Sequence, residues 1–136
     1  ILMYGWPFAF ERANIVTLAV AKLRKGEKVH AYDDVYANPL LNSSCAVAIW
    51  NMIDKNEFGV FNIAGSDRVN IYQLLTRTAE IFGLDENLIS PVQQGYFNEL
   101  ARRPRDTSFR TDKMETVLGL KPLTLEEGLI IMRETC

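Results

Sequence analysis

The sequence is poor in the residues that most enzymes use for chemistry. It holds one histidine, His30, and two cysteines, Cys45 and Cys136, in 136 residues. A lone imidazole, with no second histidine or thiolate at short spacing, excludes the common zinc sites. Two cysteines so far apart make no redox or metal motif and no disulfide framework, which leaves a reducing cytoplasm as the expected compartment. The eight glycines never fall in the G-x-G-x-x-G or G-x-x-x-x-G-K-[ST] spacing, so neither a dinucleotide turn nor a phosphate loop is encoded. No serine stands in a nucleophile elbow. No tyrosine is followed four residues later by a lysine, so the pair in which a lysine charge lowers a phenol's pKa is missing as well. No apolar run reaches the length of a membrane span, and no signal-peptide pattern opens the chain. The start, Ile-Leu-Met-Tyr-Gly-Trp without an initiator methionine, is strand-like and reads as the interior of a longer chain.

What is present describes a globular chain. Hydrophobic residues make up 48% and charged residues 24%, enough to build one core. The length fits one domain. A net charge of -2 and a pI near 5.4 point away from nucleic acid as a partner.

Periodicity divides the chain into alternating elements. Residues 1–6 read as a buried strand. Residues 10–25 read as a helix with Ile15, Leu18, Ala19 and Leu23 on one face and Gly26 as its stop. Residues 28–32 alternate like a short strand that carries His30 as a partly exposed side chain. Residues 33–41 read as a loop, in which Asp33-Asp34 suits a turn or salt bridge better than a metal. Asn42-Ser43-Ser44 offers caps for a helix to about Ile53, with Ala46, Ile49, Trp50 and Ile53 on an inward face and Cys45 as a small core residue. Residues 59–64 read as a second strand.

Asn70 caps a helix over 71–82 that turns Leu74, Leu75, Thr78, Ala79 and Phe82 inward. Residues 87–91 read as a brief strand, 93–110 as irregular and 112–118 as a short helix. Thr124 with Glu127 makes a capping-box pattern for a last helix to about residue 134. The fold class is α/β, a small sheet with four to five helices, too unbalanced to close as a doubly wound domain by itself.

The candidate chemistry sits in Ala101-Arg102-Arg103-Pro104-Arg105-Asp106-Thr107-Ser108. Arginine forks match the paired oxygens of a diphosphate, and an aspartate three residues on suits ribose hydroxyls. The same composition also suits a solvated charged loop. Trp6 follows a strand end, where ligand-binding residues gather in α/β folds.

Three blocks of sequence resemble the C-terminal region of extended short-chain dehydrogenases/reductases, the superfamily of NAD-dependent epimerases and dehydratases. Within that group they resemble the dTDP-4-dehydrorhamnose reductase branch. The first is Tyr4-Gly5. The second runs from Asn14-Ile15-Val16 to Asp33-Asp34-Val35-Tyr36-Ala37-Asn38-Pro39. The third is Arg103-Pro104-Arg105-Asp106-Thr107-Ser108 with Thr111-Asp112-Lys113 and Leu118-Gly119-Leu120. The stretch Gly59-Val-Phe-Asn-Ile-Ala-Gly65 resembles the family's Gly-x-Tyr-x-x-x-Gly. Val35, Ala37 and Leu40 depart from its usual Gln, Gly and Thr.

The resemblance implies a substrate-binding portion of a Rossmann-type enzyme, with 1–6 as a residual Rossmann strand and 7–136 as the substrate domain. It implies a nucleotide-sugar substrate, NAD or NADP held by an N-terminal half outside this chain, and catalytic residues outside it too. Arg103 would meet the diphosphate, Asp106 the ribose, Asn14 the phosphates near its helix start, and Trp6 the sugar or base. A homodimer is the oligomer allowed for, with no membrane partner. A related fold serves as the regulatory subunit of methionine adenosyltransferase, so a non-catalytic interaction module is the alternative expectation.

Overall fold

The structure, a computed structural model, describes residues 2–8, 12–98, 101 and 104–135. It has the expected α/β architecture, but its strands are short and pair two by two. β1 (Met3–Tyr4) runs parallel to β4 (Leu40–Leu41), and β2 (Val29–Tyr32) runs parallel to β6 (Ile89–Val92). β3 (Tyr36–Ala37) is antiparallel to β5 (Val69–Asn70). Four α-helices pack around them: α1 (Ile15–Leu23), α2 (Asn42–Asp54), α3 (Ile71–Phe82) and α4 (Leu125–Glu134). A 3-10 turn at Glu86–Leu88 leads into β6, and a π-type turn at Met114–Leu118 falls within the expected 112–118 helix.

Helix starts are set by side-chain oxygens. Asn70 accepts from the Gln73 amide while the Gln73 side chain accepts from the Asn70 amide, a reciprocal cap on α3. Thr124 and Glu127 do the same for α4. Each cap satisfies donors that the first turn leaves without partners. α1 begins at Ile15, not at residue 10, because the Asn14 carboxamide accepts from the Val16 and Thr17 amides and fixes the first turn there. Its buried face is also rotated from the expected one. Val16, Ala19, Val20 and Leu23 face inward at helical spacing, and Leu18 is 51% exposed.

The core is one cluster. It joins Tyr4, Val16, Ala19, Ala31, Leu41, Leu74, Leu75, Ala79, Leu129 and Met132, which come from β1, α1, β2, β4, α3 and α4. Gly128 lies in the middle of α4, where a glycine weakens a helix. A β-carbon there would collide with the Tyr4 hydroxyl, so the glycine is what lets α4 approach β1.

Further expectations fail: residues 33–41, read as a loop, carry β3 and β4, because each finds a partner strand far away in the chain. Residues 59–64 form no strand, and Val60 is 84% exposed. Lys113 donates to the Val60 carbonyl instead, and Asn38 to that of the adjoining Gly65. α2 has the expected extent, but the face meant for the core is exposed, with Trp50 at 66%, and Cys45 is only half-buried. Of its thirteen residues Ala48 alone is fully buried.

At Gly65 a β-carbon would collide with the Pro39 carbonyl and crowd that of Leu123, both of them backbone. Gly65→Ala should therefore cost about 1–3 kcal/mol, the range for a forced overpacking. Leu18→Ala, at an exposed site, should cost about 0.5 kcal/mol or less. Urea unfolding midpoints of the two variants check the contrast, and equal midpoints would mean the segments at 39 and 65 separate freely.

Candidate functional site

The irregular segment 104–110 is placed by β3. The Tyr36 amide donates to the Arg105 carbonyl at 2.7 Å, and the Thr107 amide donates back to the Tyr36 carbonyl at 2.9 Å. These bonds form an isolated parallel bridge that sets Asp106 beside Tyr36. Two residues on, Asn38 locks the same segment. Its Nδ2 donates to the carbonyls of Gly65 and Phe109, both at 3.0 Å, and its Oδ1 accepts from the Phe109 amide at 3.0 Å. Asn38 is buried with three of its bonds made, which makes it a fixed anchor rather than a free ligand group.

Asp106 is engaged on both oxygens. Oδ1 accepts from the Ser108 amide at 3.0 Å and its hydroxyl at 2.7 Å. Oδ2 accepts from Arg68 Nε and sits 2.8 Å from another guanidinium nitrogen. The Ser108 hydroxyl, then the Ser108 amide, then Arg68 hold the carboxyl down at about 2. The Arg68 guanidinium also lies over the Tyr36 ring, 4.0 Å from its centroid. Arg68 and Asp106 are exposed, so their pair aims the carboxylate more than it stabilises the fold.

Trp6 and Asn14 both lie around the exit of β1, in a different strand pair from β3. Asn14 Nδ2 donates to the Gly5 carbonyl at 2.7 Å while its Oδ1 caps α1. The Trp6 indole N–H donates to the Met132 carbonyl at 2.7 Å, and its ring meets Phe82 edge to face. Trp6 is half-buried and lines a cleft of about 640 Å³ with Met3, Phe8, Asn42, Ala46 and Ile131. The hydrogen bonds and ion pair of Asp106 run to Arg68 and Ser108, and none runs to Trp6 or Asn14. Arg103, the expected diphosphate contact, lies outside the described residues, as do Arg102 and Cys136.

Asp34 accepts from the Gln94 amide at 3.0 Å, a tie to a segment 60 residues on in place of the turn or salt bridge expected of Asp33-Asp34. His30 is exposed on β2 with its ring 4.9 Å from that of Tyr96. Burial, then the nearby Asp67 charge, pushes the Tyr4 phenol up, so it keeps its proton. Among the described residues no three His, Cys, Asp or Glu gather to hold a metal ion, and no helix is long and apolar enough to cross a membrane.

Sequence reasoning missed Arg68, Tyr36 as its stacking partner, and Asn38 as the anchor. Tyr36 and Asn38 lie inside the Asp33–Pro39 block already singled out. Arg68 carries no motif and is joined to Asp106 only by folding.

Asp106 predicts its own titration. Its folded pKa lies below the ordinary 3.8, so its contribution is complete above about pH 4 and is lost as pH falls toward 2. Ser108→Ala removes the largest cause and should raise the Asp106 pKa toward its ordinary value. Carboxyl carbon NMR titration reads this directly, and an unmoved pKa would assign the depression to the Ser108 amide and Arg68. Asn38→Ala strands buried backbone groups and should cost about 1–3 kcal/mol. Faster hydrogen exchange at the Phe109 amide is the local signature, and unchanged exchange there would show that the segment is held otherwise.

The model of the RmlD substrate binding domain matches residues 1–135. No curated protein sequence matches the chain. Among solved structures it is similar to a dTDP-4-dehydrorhamnose reductase from Bacillus anthracis in complex with NADP (TM-score 0.87, 19% identity), over 98% of this chain and 46% of that one. It is similar to the dTDP-4-dehydrorhamnose reductase of Yersinia enterocolitica (TM-score 0.86, 18% identity), over 98% of this chain and 47% of that one. A UDP-glucose 4-epimerase from Thermotoga maritima with UDP-glucose is similar at TM-score 0.74 and 24% identity, over 98% of this chain and 42% of that one. The chain thus spans less than half the length of these structures, and at such identities they establish its fold. None of these matches supports the regulatory-subunit alternative. With the family model covering all but its last residue, the chain belongs to the RmlD substrate binding domain family.

Proposed function

We propose that this chain is the substrate-binding portion of a nicotinamide-dependent reductase or epimerase that acts on a nucleoside-diphosphate sugar. The family match over residues 1–135 carries the reading. Residues 1–6 are then the last strand shared with a Rossmann half, and 7–136 the substrate domain.

NAD or NADP supplies or accepts a hydride when bound. The residues of this chain do not fit it. α1, α2, α3 and α4 start after Asn14, Leu41, Asn70 and Thr124, none in a glycine-rich turn, and the Asn14 side chain already occupies the first amides of α1. The cofactor and the proton-transfer pair therefore belong to the other half.

This chain's part is to bind and orient the nucleotide. Arg103, two residues before the segment anchored at Tyr36, offers a bidentate fork to the diphosphate. Asp106 accepts from the ribose. Its four acceptor positions are already taken by Ser108 and Arg68, so ribose binding requires Arg68 to release Oδ2. Asn14 has one Nδ2 hydrogen beyond its bond to Gly5 to offer a phosphate. Trp6 presents a ring edge to the sugar or base.

The test is a titration of the full-length protein with thymidine diphosphate. Arg103→Ala should weaken binding by roughly ten- to a hundredfold, the loss of a charge-assisted contact worth about 1.5–3 kcal/mol. Unchanged affinity would reduce the arginine to surface charge and sink the ligand assignment. The 136 residues alone should show no turnover of a sugar nucleotide with either nicotinamide cofactor. Oxidation of NADPH or NADH by them would place the chemistry here instead.

A further inference from the structure

Arg68 has a fixed root and a free tip. It stands one residue before β5, whose register against β3 pairs Ala37 with Val69 and Tyr36 with Asn70. Its neighbour Asp67 is occupied, accepting from the Ser66 hydroxyl at 3.0 Å and from the Leu125 amide at 2.9 Å. Asp67 therefore ties this backbone to the start of α4 and does not draw the guanidinium away. The guanidinium reaches Asp106 by its Nε–Nη2 edge alone. Its face rests on the Tyr36 ring, and its Nη1 corner meets no acceptor among the described residues. Arg110, further along the same segment, is closed by comparison, with Nε and Nη2 both on Asp112.

Asp106 can lose Arg68 and keep its place. Ser108 holds Oδ1 by two hydrogen bonds, and these do more than Arg68 to keep the carboxyl ionised. The group that the exchange strands is the guanidinium. A sugar hydroxyl that takes over Oδ2 brings no charge, and charge-assisted hydrogen bonds are about twice as strong as neutral ones. A free nucleoside thus trades a stronger contact for a weaker one and leaves a cation without a counter-ion. A nucleotide carries the anion that this cation then needs. Guanidinium forks fit phosphate oxygens two at a time, and the Tyr36 ring can hold the face of the group while its edge changes partner.

We infer that Arg68 is a specificity-determining residue: it leaves Asp106 for a phosphate of the incoming ligand and so selects a phosphorylated nucleoside over the free nucleoside. One cation neutralises Asp106 in the empty site and the phosphate in the filled one. The inference rests on the proposed reading for the class of ligand and for the sugar contact at Asp106. It adds a residue that no motif marks, and it does not use Arg103.

Ligand-observed NMR titrations of the full-length protein with thymidine diphosphate and with thymidine, in the wild type and in Arg68→Gln, test it. The variant should bind thymidine diphosphate about tenfold more weakly, having lost a charge-assisted contact. It should bind thymidine about twofold to fivefold more tightly, because Asp106 no longer gives up an exposed ion pair. Opposite shifts are the signature, since an arginine with a merely structural role would weaken both ligands together. Equal weakening of both, or an unmoved affinity ratio, overturns the inference. Arg68→Lys keeps the charge and loses the planar fork, so its ratio should fall between those of the wild type and Arg68→Gln. If the glutamine variant does not fold, a lysine variant with the wild-type ratio overturns the inference in its place. Wild-type protein that binds neither ligand removes the ligand assignment and this inference with it, whereas wild-type binding of thymidine diphosphate with an unmoved ratio in the variants removes the inference alone.

Discussion

The carboxamide of Asn38 is the constraint on which the candidate site depends. Three segments without regular structure meet at it: the turn at 38–39, the extended stretch ending at Gly65, and the loop at 104–110. None has a strand ladder of its own to satisfy its backbone, and a buried backbone group without a partner costs as much as a lost hydrogen bond. One side chain supplies two donors and one acceptor to two of them and is itself part of the third. The neighbouring Pro39 carbonyl then lies so close to Gly65 that no larger residue fits. The polar centre and the missing side chain are two halves of one packing solution.

That anchor decides how much weight the Arg68–Asp106 pair must bear. An exposed ion pair between two mobile side chains is a weak determinant of structure. Here the backbone of Asp106 is already fixed, by the Tyr36 bridge on one side and Asn38 on the other. Arg68 only chooses a direction for the carboxylate, and its stacking on Tyr36 makes that choice cheaper by holding the guanidinium in place. Such an arm can move without disturbing the fold. A rigid loop carrying a movable charged partner suits a site that must exchange an internal partner for a ligand.

Much of this was legible in the sequence, and the failures share a cause. The caps at Asn70 and Thr124 were readable because the residues that make them are three apart, within one turn. Leu74, Leu75, Thr78 and Ala79 were placed correctly because α3 has both an apolar and a charged side. α1 offered little polar contrast, so its face was misjudged by a rotation that put Leu18 inward. The stretch 59–64 has strand composition, but a strand is defined by its partner, and composition does not record that Lys113 takes up the Val60 carbonyl and Asn38 that of the adjoining Gly65 instead. The Arg68–Asp106 contact joins positions 38 residues apart with no shared motif, so only the folded chain reveals it. The family resemblance was readable from the order of blocks because those blocks are the turns and caps that place the elements.

The disagreement at α2 is of another kind. Its periodicity was read correctly: Ala46, Ile49, Trp50 and Ile53 do share a face. What the structure contradicts is the inference that the face is covered within these residues. A sequence pattern reports burial in the finished assembly, whereas the folded chain buries only what its own residues cover. Where α3 and α4 are concerned the two reports agree, because their partners lie within the same 136 residues. Where they disagree, over a helix with Asp54 as its one charge, the difference marks surface that belongs against something else. The hydrophobic effect gives the sign of the argument, since leaving several large apolar side chains in water forgoes about 25 cal/mol for each Å² that a partner would cover.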